Sequence, residues 1–201
     1  MYDAMLERAY EDEANAAHEN WSEEIIEEFI EEITLSFFAE NKDILSISYA
    51  SRDEAKKVID ISPSSAILFT YTAIETAIKH AILKPMIYGM THNESIANLI
   101  VKKFVNLSNV DSYTSLTFNL VNELIHLKLS DIKNDKEKFI IDEIKSLSKK
   151  RNNIIHSGKF YKKEDALNAL KILEDLYDKV ILRMLNHINF TIIDKKICEK
   201  E

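Results

Sequence analysis

The sequence is poor in the residues that build tight turns. Its 201 residues include only two glycines, Gly89 and Gly158, and two prolines, Pro63 and Pro85. Sheet proteins place glycine, proline or Asn-Gly pairs at most of their turns. This scarcity predicts an all-α fold, a helical bundle of about five to seven helices joined by short polar connections.

Cysteine pairs, a leader sequence and a long apolar run are also missing. The one cysteine, Cys198, excludes an internal disulfide and indicates a reducing compartment. Met1, Tyr2 and Asp3 begin neither a basic nor an apolar leader region. We find no apolar run of about 18 residues, the length that a membrane span needs. These absences predict a cytoplasmic protein with no membrane segment.

Basic residues are scarce at the start of the chain and concentrated near its end. Residues 1–40 contain thirteen acidic side chains and one basic side chain, Arg8, in a chain of net charge −8. Residues 145–163 reverse this pattern, with seven basic side chains and no acidic one. A local excess of positive charge on an acidic protein indicates an anion-binding face. The alternative is a solvated helix end that binds nothing.

Periodic apolar residues divide the chain into helices with no linker between them, which predicts a single domain over residues 1–201. Residues 1–20 are polar and are interpreted as an N-terminal extension of a first helix that begins at Ser22. The later helices are predicted at 53–59, 63–83, 91–106, 112–129, 134–156 and 163–189. One face of the helix at 63–83 is an apolar stripe that is predicted to be buried: Ile67, Tyr71, Ile74, Ile78 and Ile82.

Local signals define several helix boundaries. Ser62 followed by Pro63 is an N-cap with proline at the first helical position, and Pro85 is expected to end that helix. Asn134 is expected to begin the helix that leads to the basic segment, and Gly158 to close it.

The predicted helix 134–156 contains the candidate site. Its buried stripe consists of Ile140, Ile144 and Leu147. At about 100° per residue, Arg151 lies in line with that stripe. An arginine in this position reaches solvent or pairs with an acid, and Glu75 on the Pro63 helix is the best-placed acid. A buried ion pair between the two helices is a purely structural alternative.

His156 follows Arg151 by five residues, which on a straight helix separates the two side chains by about 140°. His156 instead shares a face with Asn152, four residues earlier. Arg151 and His156 meet in one site if the last turn unwinds before Gly158, or if a two-fold axis brings a second copy of each into the same cleft. As an isolated residue, His156 would bond a terminal carbonyl of its helix.

The run from Arg151 to His156, with Asn152 directly after the arginine, resembles the R-N-x-x-x-H motif of the HEPN superfamily. This superfamily comprises all-helical nuclease and nucleotide-associated domains of toxin–antitoxin, CRISPR and other defence systems. Residues 65–75, which end in an acidic side chain, resemble the earlier core helix of the family. The resemblance covers about residues 62–188 and implies a HEPN-like up-and-down core. In toxins of the family that pair with nucleotidyltransferase antitoxins, a tyrosine stands where this chain has Gly158.

The resemblance implies a metal-independent endoribonuclease that acts as a homodimer and leaves 2′,3′-cyclic phosphate and 5′-hydroxyl ends. Arg151, His156 and Asn152 would be its catalytic residues, and Glu75 would support Arg151. Histidine titrates near the working pH, and arginine offers a rigid fork of donors to phosphate oxygens. Because each protomer supplies one such histidine, the general acid and the general base would come from two chains.

RNA and a second copy of the chain are the expected partners, together with a cognate antitoxin or another defence-system protein. The residues expected to bind RNA are Lys149, Lys150, Lys159, Lys162 and Lys163. No cofactor is expected. Glu123 and His126 form one E-x-x-H, whereas a di-iron bundle needs two, so no metal is expected either. The alternative function is a non-catalytic HEPN-like module that binds RNA, a nucleotide or a protein.

Overall fold

Helices form most of the chain that this computed structural model describes, namely Glu28, residues 33–107 and residues 110–200. This confirms the predicted all-α class. The extension over residues 1–20 and the start of the Ser22 helix lie outside the described residues. We number the helices α1 (Ser46–Val58), α2 (Pro63–Thr91), α3 (Glu94–Leu107), α4 (Val110–Ile125), α5 (Ile140–Ser157) and α6 (residues 163–187).

Two of the predicted helix boundaries are confirmed. The side chain of Ser62 accepts a hydrogen bond from the backbone N–H of Ser65 (3.4 Å), and Pro63 is the first residue of α2. Gly158 ends α5 in the left-handed conformation (φ 61°), and its N–H bonds the carbonyl of Asn153. Both boundaries follow from local chemistry, because a short cap and a glycine satisfy the free backbone groups at helix ends.

Pro85 does not end α2, so the predicted stop before it is wrong. The helix continues through the proline to Thr91 because Ile78–Leu83 adopt a π-helical register. In this register the N–H of Lys84 bonds the carbonyl of Lys79, five residues earlier. The wider turn relieves the clash between a proline ring and the preceding turn, which otherwise breaks a helix.

The predicted start of α5 at Asn134 is also wrong. The side chain of Asn134 accepts hydrogen bonds from the backbone N–H groups of Lys136 (2.9 Å) and Lys138 (3.1 Å), and α5 begins only at Ile140. Asparagine stabilises turns by the same bonds with which it caps helices, so its presence alone does not distinguish the two.

α2 is the central helix and packs against α1, α5 and α6. Its predicted core stripe is buried throughout: Ile67, Tyr71, Ile74, Ile78 and Ile82. The predicted stripe of α5 is buried as well: Ile140, Ile144 and Leu147. The packing of α5 against α2 sets the C-terminal end of α5, with Arg151, against the first third of α2, at Tyr71.

α2 is long and apolar enough to cross a membrane by length and composition, so the prediction that the chain has no such apolar run is wrong. Within the described residues, 61% of its most apolar 18-residue stretch is buried inside the bundle. Burial of this kind is expected of a core helix, since a helix that is apolar on most faces must be covered.

A small antiparallel hairpin that the sequence did not predict follows α6. Its strands are β1 (Phe190–Ile193) and β2 (Lys196–Glu199), joined at Asp194 and Lys195, which both have positive φ. Such turns usually carry asparagine or glycine, and four-residue strands show little alternation, so no recognisable signal marked it.

Candidate functional site

The last turns of α5 present two different faces. Lys149, Asn152, Asn153 and His156 are spaced three or four residues apart and are all exposed. Arg151 is partly buried on the inner side. Because α5 stays helical to Ser157, the alternative in which the last turn unwinds is wrong. Approach of Arg151 and His156 across a two-fold axis stays a prediction.

Arg151 is held against the central helix by an aromatic ring. Its guanidinium carbon lies 5.9 Å from the centroid of the Tyr71 ring, which is 1% exposed. Its Nη1 donates a hydrogen bond to Oδ1 of Asn152 (2.9 Å). A guanidinium has five N–H donors, and this bond uses one of them. The cation is therefore fixed in position by Tyr71 and Asn152 and has donors left for an anion.

Glu75 lies one turn after Tyr71 on α2 and is half-buried. Burial raises the pKa of Glu75, and the nearby positive charges of Arg151 and Lys79 oppose this rise without cancelling it. Within the described part of the chain, Glu75 and Arg151 form no ion pair at contact distance. The predicted direct pair is thus replaced by attraction through space, and the direct partners of Arg151 are Tyr71 and Asn152.

We expect Glu75→Gln to raise the melting temperature by a few degrees at neutral pH and to lower activity. Because the folded pKa of Glu75 is raised above 4.5, the unfolded chain loses this proton at a lower pH than the folded chain. Wild-type stability therefore falls, relative to the glutamine variant, as the pH rises from 4.5 through the raised value.

Thermal melts of both proteins from about pH 4 to about pH 8 measure this difference. The two melting temperatures should converge at the acidic end of the range. A wild-type protein more stable than Glu75→Gln at neutral pH would mean that attraction to Arg151 outweighs burial.

Asn152 connects the two faces of α5. Its side-chain oxygen accepts the hydrogen bond from Arg151, and it lies four residues before His156, so the two side chains share the exposed face. His156 itself is exposed in the last turn of the helix. The end of α5 thus offers a fixed cation, an amide and an accessible imidazole.

The basic segment divides into two groups of side chains. Three lysines pair with acids, and these pairs are Lys145–Asp142 (3.8 Å), Lys150–Asp165 (2.6 Å) and Lys163–Asp60 (2.5 Å). Lys149, Arg151, Lys159 and Lys162 form no ion pair with any residue that the structure describes. Of the five lysines predicted to bind RNA, Lys150 and Lys163 are therefore engaged within the protein.

The loop that follows α5 is fixed to the rest of the bundle by Tyr161. Its backbone N–H donates to the hydroxyl of Ser64 (2.9 Å), and its own hydroxyl accepts a hydrogen bond from Asn153 (3.2 Å). The ammonium groups of Lys150 and Lys159 lie 5.5 and 5.2 Å from the centroid of its ring. The loop therefore keeps a defined position next to the Arg151–His156 face.

Sequence reasoning missed the aromatic residues of this region. Tyr71 was identified only as a core residue, and Phe160 and Tyr161 were not identified at all. The available signal was the run Lys159-Phe160-Tyr161-Lys162, in which two aromatic residues lie between two basic ones, a combination found in nucleic-acid-binding segments.

No group of three or more His, Cys, Asp or Glu side chains in the described residues is arranged to hold a metal ion. No protein-family model, curated protein or solved structure matches this chain. The chemistry that the site supports therefore follows from its own side chains.

Proposed function

We propose that this chain is a HEPN-like endoribonuclease that acts as a homodimer in the cytoplasm and cleaves RNA without a metal ion. The products would carry 2′,3′-cyclic phosphate and 5′-hydroxyl ends, and the setting would be a toxin–antitoxin or antiviral defence system. One observation carries the proposal. The guanidinium of Arg151 lies over the Tyr71 ring and donates a hydrogen bond to Asn152, and the Asn152 side chain shares the exposed face of α5 with His156.

Each of these side chains has a role in RNA cleavage. One His156 removes the proton of the 2′-hydroxyl, whose oxygen attacks phosphorus, and a second His156 protonates the leaving 5′-oxygen. Arg151 donates to the phosphate oxygens and stabilises the negative charge that develops on them. Asn152 orients the guanidinium through the hydrogen bond that it accepts.

The dimer follows from the position of these residues on one helix. A single α5 directs Arg151 and His156 to different sides, and a single chain supplies one suitable histidine for two proton transfers. A two-fold contact brings each residue near the axis in twice. Ile155, which is 50% exposed beside His156, supplies an apolar side chain that such a contact would cover.

We expect Lys149→Glu with Lys162→Glu to weaken RNA binding about tenfold or more at low salt and to flatten its salt dependence. Both lysines are exposed, and neither ammonium group forms an ion pair within the described residues, so both can contact phosphates. The association constant falls as the salt concentration rises. Each lost phosphate contact should make the slope of log K against log salt concentration less steep by about 0.7–0.9. Fluorescence anisotropy with labelled 2′-O-methyl RNA, which cannot be cleaved, measures binding alone.

Lys102→Glu with Lys103→Glu is the matched control for this variant. It makes the same change in net charge on exposed residues of α3. Unchanged affinity of the Lys149/Lys162 variant at low salt would move the binding face elsewhere. Equal weakening in both variants would mean that net charge, not this surface, determines binding.

Incubation of the wild-type protein with labelled RNA in EDTA tests the proposal. RNA should be cut, and DNA of the same sequence should stay intact because it lacks the attacking 2′-hydroxyl. RNA that is bound but remains whole would instead identify the chain as a non-catalytic module, the alternative function.

A further inference from the structure

Phe160 is the most exposed large apolar side chain in the described part of the protein, with 89% of its surface accessible. Its backbone is nevertheless held in place, because the next residue, Tyr161, is bonded to Ser64 and Asn153. Isolated exposed apolar residues are common on protein surfaces. A bare aromatic ring on an anchored loop, however, is a preorganised contact surface.

The neighbours of Phe160 in the loop are positively charged. Lys159 precedes it and Lys162 follows two residues later; both are exposed, and neither ammonium group forms an ion pair with a residue that the structure describes. The backbone N–H of Lys162 bonds the carboxylate of Asp165 (3.3 Å). His156 lies four residues earlier, so the backbone places its Cα within about 14 Å of that of Phe160. The aromatic ring and the lysines therefore lie within the reach of one short polyanion bound at His156.

Phe139, at the opposite end of α5, shows what is distinctive about this arrangement. It is also exposed (40%) and has an ammonium group near its ring, that of Lys133 at 5.2 Å. There, however, the lysines are neutralised, because Lys133 pairs with Glu137 and Lys138 pairs with Glu143. Both phenylalanines have lysines nearby, but only Phe160 has neighbouring lysines, Lys159 and Lys162, whose ammonium groups form no ion pair with the described residues.

We propose that Phe160 is a stacking platform for an unpaired base of single-stranded RNA, whose phosphates bind Lys159 and Lys162. This inference rests on the proposed function and adds the class of RNA to it. Aromatic side chains stack on the faces of bases, and lysines hold the backbone, in proteins that bind single strands. A base inside a duplex has both faces covered, so a paired strand cannot use the platform.

A second copy of the chain is the competing occupant, and the charges disfavour it. The cores of protein interfaces are depleted in lysine, and a direct contact between two copies at Phe160 would bury Lys159 and Lys162 against like charges. The proposed cleft at His156 differs, because RNA bound between the two copies neutralises the lysines there. An RNA strand instead provides a base that can stack on Phe160 and negatively charged phosphates that can bind the lysines.

Binding of a labelled 2′-O-methyl oligonucleotide, alone or annealed to its complement, tests the platform. Phe160→Ala should weaken binding of the single strand by about five- to a hundred-fold and change binding of the duplex less than about twofold. Phe160→Trp should restore binding of the single strand, and the control Phe139→Ala should bind like wild type. This assay measures binding and not cleavage. It therefore tests the platform even if the protein turns out not to cut RNA.

Three outcomes would overturn the inference. Either Phe160→Ala binds the single strand as wild type does, or it loses affinity for single strand and duplex equally. Sedimentation of Phe160→Ala as a monomer under conditions where the wild type is a dimer would also overturn it, and would assign Phe160 to the contact between copies. Since Phe160 is almost fully exposed, the variant should keep the wild-type melting temperature.

Discussion

His156→Ala should lower the rate of RNA cleavage by at least about two orders of magnitude, and EDTA should leave the wild-type rate unchanged. The expected loss is that of a general acid–base group, and in the proposed dimer one substitution removes both the acid and the base. The imidazole is exposed in the last turn of α5, so its removal should leave the fold intact. Single-turnover cleavage of labelled RNA in EDTA gives the rate directly.

His187→Ala is the matched control, because His187 is also an exposed histidine in the last turn of a helix. It should cut RNA at the wild-type rate. If EDTA abolishes cleavage while His156→Ala retains it, then His156 is not the catalytic histidine and a bound metal ion performs the reaction.

A mixture of Arg151→Ala and His156→Ala protomers should cut RNA at least about tenfold faster than either variant alone. In each parent dimer the shared cleft lacks both copies of one catalytic residue. A mixed dimer keeps one arginine and one histidine, which lie on opposite protomers. Its rate should stay below that of the wild type, because one of the two proton transfers has lost its histidine. The two variants are mixed, allowed to exchange subunits and assayed on the same labelled RNA.

The control for this mixture pairs His156→Ala with the double variant Arg151→Ala, His156→Ala. Every dimer in that mixture lacks both histidines, so no activity should appear. Two results would contradict a composite cleft. One is a mixture that forms mixed dimers but gains no activity, and the other is a wild-type protein that sediments as a monomer at concentrations where it cuts RNA.

Those parts of the fold that depend on local chemistry could be predicted from the sequence. The apolar stripe of α2, its start at Ser62 and the end of α5 at Gly158 are all where periodicity and capping placed them. The wrong predictions concern two helix boundaries, at residues whose local signal is compatible with more than one backbone structure. Pro85 is accommodated by a π-helical turn, and Asn134 forms a turn in place of a cap.

The candidate site likewise has features that the sequence could predict and features that it could not. Helical periodicity predicts that Arg151 and His156 point in different directions, and it holds because α5 stays regular to its end. Periodicity contains no information about contacts between helices, so the position of Tyr71 under Arg151 could not be predicted. The pairing of Lys150 with Asp165 was missed for the same reason, since that acid lies on α6.

The ends of the cleaved RNA report most directly whether this protein is a metal-independent endoribonuclease. Wild-type protein in EDTA should leave a 2′,3′-cyclic phosphate on one fragment and a 5′-hydroxyl on the other, identified by mass spectrometry and by labelling of the 5′ end without prior phosphatase treatment. His156→Ala should give neither product. Fragments with 3′-hydroxyl and 5′-phosphate ends, or intact RNA at protein concentrations that saturate binding, would contradict the proposed function.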